Sequence, residues 1–119
     1  MRTMYRPPKR GDVVSTLFRR SDGTYSPRLV LLLQPPDVKG PFTDRLLGAP
    51  ITSAIRDAET RLTFGPESYE GHSMGLTLRS QVCLDDLSAV PLHRARLVGF
   101  CPAMDQVDVA LHKVLGLSG

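Results

Sequence analysis

The sequence contains no tryptophan, two cysteines and three histidines, and its longest apolar run is the five residues Leu29 to Leu33. A helix that crosses a bilayer needs about 20 apolar residues, and the polar N-terminus lacks a signal-peptide core, so we expect a cytoplasmic protein without membrane contact. Cys83 and Cys101 are too few and too far apart for a zinc cluster, and we expect reduced thiols. The histidines fit no metal-ligand spacing, so no cofactor is expected.

A chain of 119 residues with 41% hydrophobic and 23% charged residues has the size and composition of one globular domain. The formal charge is +3, but residues 1–28 hold seven of the fifteen lysines and arginines against two aspartates. Residues 1–10 are polar and proline-bearing and predict a flexible basic arm, followed by one domain over 11–119. A basic leading third suits phosphates or an acidic protein segment, and it also suits a solubilising face.

The pattern along the chain predicts a mainly β protein that ends in one helix. Val13 to Phe18 and Leu29 to Gln34 read as a hairpin joined through Ser21 to Thr24, and the unalternating second run predicts a central strand covered on both faces. From Pro102 onward, apolar residues recur at helical spacing and Gly116 is a candidate cap.

Further elements are predicted with less regular patterns. The segment from Glu67 to Gly71 reads as an exposed loop. Short strands are predicted near Leu46, at Arg61 to Phe64, Gly75 to Leu78, Gln81 to Leu84 and Arg94 to Phe100. Many short strands with glycine and proline punctuation indicate a small, strongly bent antiparallel barrel.

Polar side chains follow two of the predicted strands. Arg28 opens the run Leu29 to Leu33, and the apolar stretch Leu46 to Ile51 ends in Thr52 and Ser53. If the two strands are neighbours, a forked guanidinium and two hydroxyls share one sheet edge, which suits an oxyanion or a phosphodiester. The alternative is a solvated strand end with a capping hydroxyl.

Several short motifs stand in a recognisable order. They are Arg10 to Val14 (RGDVV), Arg28 to Pro35, Ala49 to Ser53 (APITS), Ser80 to Val82 and the closing Val114 to Leu117. In this order and at these separations the chain, from about Gly11 to Leu117, resembles the MazF/PemK family of toxins from type II toxin–antitoxin pairs.

This resemblance implies a fold and an activity. The fold is a small SH3-like antiparallel barrel that usually forms a homodimer. The activity is a metal-independent endoribonuclease that cuts single-stranded RNA to 2′,3′-cyclic phosphate and 5′-hydroxyl ends, and that an antitoxin, expected to be acidic, silences. By the same resemblance Arg28 and Thr52 hold the positions of the family's catalytic arginine and threonine, and Ser53 assists.

The chain also departs from the family pattern. The loop before Arg28 lacks the usual glutamate, Leu29 replaces a proline, and Ser80 replaces an acidic residue, although Gln81 is retained. Asp22 and His72 are therefore the candidate acid or base groups. We expect Arg19, Arg20, Tyr25 and Gln81 to contact RNA, with Tyr25 stacking on bases.

Two other functions stay open from the residues alone. One is a related barrel that acts by binding, as CcdB-like toxins do on DNA gyrase, in which case Arg28 and Thr52 are structural. The other is a catalytically impaired family member that only binds nucleic acid or antitoxin.

Overall fold

The computed structural model describes the chain over residues 2–3 and 6–117. The strands of this part are β1 (Arg2–Thr3), β2 (Asp12–Arg19), β3 (Tyr25–Leu32), β4 (Arg45–Thr52), β5 (Arg61–Phe64), β6 (Ser80–Cys83), β7 (Ser88–Pro91) and β8 (Arg96–Phe100). The helices are α1 (Tyr69–Ser73) and α2 (Met104–Val114). The strands form one sheet in the order β1-β8-β2-β3-β4-β6-β5, and β7 pairs with the first half of β4. Every recorded pairing is antiparallel, and neither helix is long and apolar enough to cross a membrane.

The predicted hairpin and central strand are confirmed. β3 lies in the middle of the strand order, between β2 and β4, and its buried half, Val30 to Leu32, is inaccessible to solvent. Leu31 belongs to a large apolar cluster under α2, whereas Val30 and Leu32 belong to a smaller cluster on the other face. Because side chains alternate along a strand, a strand covered on both faces needs apolar residues at consecutive positions. This explains the unbroken run.

The predicted C-terminal helix is confirmed as α2, which buries Val107 in the larger cluster. Its end is closed by Gly116, whose φ of 69° is a left-handed conformation that glycine adopts without strain. The amide of Gly116 donates to Lys113 O at 3.2 Å and that of Leu117 donates to His112 O at 2.8 Å. This pair of bonds is a Schellman motif, which satisfies carbonyls that the helix leaves unpaired.

Two predictions about the segment between β5 and β6 were wrong. Residues 67–71, predicted as a loop, lead into α1, because the Ser68 hydroxyl caps the helix by accepting from Gly71 N at 3.0 Å. Residues 75–78 were predicted as a strand and form none, since Gly75 has a φ of 79° and turns the chain out of the extended region.

β7 was not predicted as a strand at all. The sequence Ser88 to Pro91 has little strand pattern of its own, and the strand exists because it pairs with Arg45 to Gly48 of β4. Strand formation of this kind depends on a tertiary partner rather than on local preference.

The basic segment predicted over residues 1–10 contacts the barrel in its described part, and its flexibility stays a prediction. Arg2–Thr3 pairs with β8. The Arg6 guanidinium donates to both carboxylate oxygens of buried Asp12, each at 3.0 Å, and Asp12 also accepts from Lys9 N at 2.8 Å. The hydrogen bond from Arg6 to Asp12 raises the pKa of Arg6. Arg10 forms an ion pair with Asp108 of α2. These ion pairs partly compensate the positive charges of Arg6 and Arg10.

We expect Asp12→Ala to lower the free energy of unfolding by about 2 kcal/mol, because it removes the charged acceptor of three hydrogen bonds at the start of β2. Urea denaturation followed by circular dichroism measures the change. Asp37→Ala is the matched control, since Asp37 is exposed and surface substitutions usually stay within about 0.5 kcal/mol. Equal stabilities of the two variants would contradict a structural role for the Asp12 carboxylate.

Candidate functional site

Strand register brings Arg28 and Thr52 together. Leu29 of β3 is the direct partner of Ile51 of β4. Because antiparallel strands run in opposite directions, the residue before Leu29 stands opposite the residue after Ile51. Arg28 and Thr52 are therefore opposed, and their side chains share one face of the sheet. Both residues line the same open cleft of about 530 Å³, which we call the Arg28 cleft.

The lining of the Arg28 cleft is basic and rich in hydroxyls. Arg20 and Arg28 contribute positive charge, and hydroxyls come from Ser26, Thr52, Ser53, Thr77 and Ser80. Among the described residues, no aspartate, glutamate or histidine lines the cleft. A surface with guanidiniums and hydroxyls but no carboxylate attracts anions and can donate several hydrogen bonds to one phosphate group.

The Arg28 guanidinium lies over an aromatic ring instead of beside a carboxylate. Its central carbon is 5.8 Å from the ring centroid of Phe18 on β2, a cation–π contact worth about 0.5–1 kcal/mol at an exposed site. Within residues 6–117, no ion pair neutralises Arg28 or Arg20. The charge of Arg28 is therefore oriented by Phe18 and available to a ligand. The sequence favoured core packing for Phe18, and the residue does pack against the smaller apolar cluster, but the contact with Arg28 diagonally across the hairpin was not predicted.

The Thr52 hydroxyl is held in a defined orientation. Its oxygen accepts a hydrogen bond from Ala54 N at 3.1 Å, a turn typical of threonine at the end of a strand. Because the oxygen accepts from the backbone, the hydroxyl hydrogen is available for donation to a ligand in the Arg28 cleft. Ser53, the next residue, is exposed and lines the same cleft. The predicted trio of Arg28, Thr52 and Ser53 thus lies in one place.

Gln81 has a structural position. It is the strand partner of Thr52, its side chain is buried, and its amide nitrogen donates to Arg56 O at 2.8 Å and Thr63 Oγ1 at 3.1 Å. Its amide oxygen accepts from Arg56 N at 3.0 Å. These bonds fasten the loop that carries Ser53 to the sheet. With both amide hydrogens used inside the protein, Gln81 is placed to position this loop rather than to contact RNA.

The two candidate acid or base groups lie outside the Arg28 cleft. The Asp22 carboxylate accepts from the hydroxyl and the amide of Thr24, at 2.6 and 2.9 Å, and these bonds lower the pKa of Asp22. A carboxylate with a lowered pKa is a weaker base. His72 is exposed on α1 and does not line the cleft. Neither residue is therefore placed for proton transfer there.

The remaining predicted contacts surround the hairpin tip. Arg19 and Tyr25 are strand partners at the last pair of the β2–β3 hairpin, and both are exposed. Neither lines the Arg28 cleft, whereas Arg20, the next residue, does. Arg19 or Tyr25 can therefore contact RNA only if the RNA extends beyond the Arg28 cleft.

The two cysteines are not set up as nucleophiles. Burial raises the pKa of both Cys83 and Cys101, which disfavours the thiolate and makes them poor nucleophiles. No group of three or more potential metal ligands occurs within the described residues.

Comparisons with known proteins identify the fold. No family model matches the sequence, and no curated protein gives a significant match. A MazE–MazF complex from Deinococcus radiodurans superposes with a TM-score of 0.72 at 23% identity, covering 93% of this chain and 97% of that one. An endoribonuclease in complex with its cognate antitoxin, from a mycobacterial species, gives 0.69 at 21% identity, covering 95% and 99%. A MazF toxin from Mycobacterium tuberculosis gives 0.63 at 21% identity, covering 86% and 95%. The chain therefore has the fold of the MazF toxins, an antiparallel curled sheet with a C-terminal helix, as predicted.

We expect Gln81→Ala to loosen the loop between β4 and β5, because the Arg56 backbone loses both of its bonds to the amide. Amide hydrogen exchange of residues 54–60 should accelerate, and the free energy of unfolding should fall by about 1–3 kcal/mol. Gln106→Ala on the exposed face of α2 serves as the control. Unchanged exchange in the loop would show that Gln81 does not hold it.

The pKa of Asp22 should depend on its hydrogen bonds to Thr24 in the hairpin turn. A depressed folded-state pKa means that the carboxylate's hydrogen bonds stabilise the fold above the unfolded pKa and are lost as the pH falls through the folded one. By carboxyl NMR, Thr24→Ala should move the pKa of Asp22 upward, because the hydroxyl is the largest cause of the shift. Thr43→Ala, at a distant exposed site, should leave it unchanged. An unaltered titration in Thr24→Ala would contradict this assignment.

Proposed function

We propose that the protein is the toxin of a type II toxin–antitoxin pair, and that it cleaves single-stranded RNA without a metal ion. The observation that carries this proposal is the shared cleft of Arg28 and Thr52, where an uncompensated guanidinium and an oriented hydroxyl face the same space. The likeness of the fold to MazF toxins supports it, since the same two residues match the catalytic positions of the family motif.

The proposed reaction is an internal transesterification. The ribose 2′-oxygen attacks the adjacent phosphorus and loses its proton, a pentacovalent phosphorane forms, and the bond to the 5′-oxygen breaks. The products are a 2′,3′-cyclic phosphate and a 5′-hydroxyl end, the latter formed when the leaving oxygen takes up a proton. Arg28 neutralises the charge that develops on the phosphorane oxygens, and the Thr52 hydroxyl donates to one of them.

Within the described chain, the Arg28 cleft offers no side chain suited to accept the 2′ proton. Its described lining holds neither a carboxylate nor an imidazole, and Asp22 and His72 lie elsewhere. We therefore propose that the 2′ proton passes to water in the open cleft, and that the catalytic contribution of the protein is chiefly electrostatic. This matches the loss of the acidic residues that the family usually carries.

The proposed partners follow from the positive charge of the Arg28 cleft and from the likeness of the fold to structures of toxin–antitoxin complexes. Two of the similar structures hold a toxin together with its antitoxin. We propose that an acidic antitoxin segment covers Arg20 and Arg28 and so excludes RNA. We also propose that the working form is a homodimer, in keeping with the family that the motifs resemble.

Incubation of the purified protein with a long messenger RNA, followed by mapping of new ends, tests the activity. We expect 5′-hydroxyl ends at a short recurring sequence, and a fall of about 10²–10³ in cleavage rate for Arg28→Ala or Thr52→Ala, the usual loss when one donor to a developing oxyanion is removed.

Arg45→Ala is a matched control for Arg28→Ala. Arg45 also lies over a phenylalanine ring, that of Phe42 at 5.0 Å, but it stands at the opposite end of β4 from Thr52 and does not line the Arg28 cleft. The Arg45→Ala variant should cleave RNA at the same rate as the wild type.

Expression of the protein in bacteria, with growth and total RNA followed together, separates the rival functions. Growth arrest with intact RNA would reject ribonuclease activity and support a binding toxin of the CcdB kind. RNA binding without cleavage and without growth arrest would indicate an impaired member of the family.

A further inference from the structure

A second basic cleft lies on the far side of Pro27 from the Arg28 cleft. Its volume is about 470 Å³, and it is walled by β2 residues Ser15 to Leu17 and by the segment His93 to Arg96 at the start of β8. We call it the Arg94 cleft. None of the residues predicted from the sequence to act in catalysis or RNA binding lines it.

The charge of the Arg94 cleft suits phosphate. Arg94 and Arg96 are exposed, and no aspartate or glutamate of the described chain lines the cleft. Neither arginine takes part in an ion pair within the described residues. The exposed His93 adds a further hydrogen-bonding group, whereas the buried Thr16 hydroxyl already donates to Pro91 O at 3.5 Å.

The floor of the Arg94 cleft suits a nucleobase. Leu17 and Pro27 are direct strand partners, both are exposed, and both line the cleft. A flat apolar floor beside two guanidiniums can hold the face of a base while its phosphate meets the charge, and guanidinium planes themselves stack on bases. The carboxylates of an acidic peptide would contact the arginines, but they would gain nothing from the apolar surface of Leu17 and Pro27.

The two clefts adjoin at Pro27. Pro27 lines both of them, and Thr16 in the Arg94 cleft is the direct strand partner of Arg28 in the Arg28 cleft. Strand partners stand about 5 Å apart, so a chain leaving Arg28 reaches the Arg94 cleft by crossing one strand.

We propose that the Arg94 cleft is a second nucleotide subsite, in which Arg94 and Arg96 hold the phosphates of a single-stranded RNA whose scissile phosphate lies at Arg28. This inference rests on the proposed function for the identity of the ligand. It assigns to the segment that leads into β8 the task of selecting longer RNA over short fragments.

The test compares a trinucleotide, which fills only the Arg28 cleft, with a dodecanucleotide, which also crosses Pro27. Both are labelled, single-stranded and uniformly 2′-O-methylated, so that binding is measured without cleavage. We expect the double variant Arg94→Ala/Arg96→Ala to bind the dodecanucleotide about tenfold more weakly or worse, and the trinucleotide as the wild type does. The slope of log affinity against log salt should shrink by about 1.4, since each lost phosphate contact on a single strand removes about 0.7.

A double variant Arg61→Ala/Lys113→Ala is the matched control. It removes the same charge from β5 and α2, whose residues line neither cleft. The ion pair it breaks at Lys113 is exposed and contributes little to stability, whereas the Arg61 side chain in the other pair is only 16% exposed. Thermal melts establish that both double variants are folded.

The outcomes separate the two proposals. An unchanged salt slope in Arg94→Ala/Arg96→Ala, or a loss equal to that of the control, overturns the second subsite even if unmodified RNA is cleaved. Failure of the wild type to cleave unmodified RNA overturns the proposed function, whereas the binding measurement does not require cleavage. Arginine-dependent binding of polyglutamate, with no arginine dependence for the dodecanucleotide, would make the Arg94 cleft a site for an acidic protein and overturn the proposal.

Discussion

The antiparallel register between β3 and β4 is the constraint on which the rest of the molecule depends. Because Leu29 faces Ile51, the next pair of positions places a guanidinium opposite a hydroxyl on the same side of the sheet. A slip of one residue would send Arg28 to the opposite face and would also turn Val30 out of the smaller apolar cluster. Folding and site assembly therefore require the same pairing.

Much of this arrangement could be predicted from the sequence because it rests on local signals. The apolar run of β3 identified a strand covered on both faces, the turn residues near Gly23 identified the hairpin, and the spacing of α2 identified the closing helix. The neighbouring positions of Arg28 and Thr52 were expected only if their two strands pair, a condition that the pairing of β3 with β4 meets. These features depend on residues that are close in sequence or that repeat with a clear period.

The features that escaped prediction depend on distant partners. β7 forms because β4 offers it a partner, and the segment around Gly75 turns away from the extended region because its glycine adopts a positive φ. The roles of single side chains were equally hidden. Nothing local shows that Gln81 is buried beneath the loop after β4, or that Arg6 and Arg10 are neutralised by Asp12 and Asp108.

One half of β3 is covered by the rest of the protein and the other half is exposed. Replacements in the two halves therefore have different effects. From Val30 onward each side chain fills space inside the molecule, so a replacement changes how much folded protein a cell contains. Towards Arg28 the strand emerges into solvent, so a replacement there changes the surface of the Arg28 cleft and costs the fold little stability. Substitutions at the exposed end of β3 can therefore accumulate without eroding the scaffold that Val30 to Leu32 hold together.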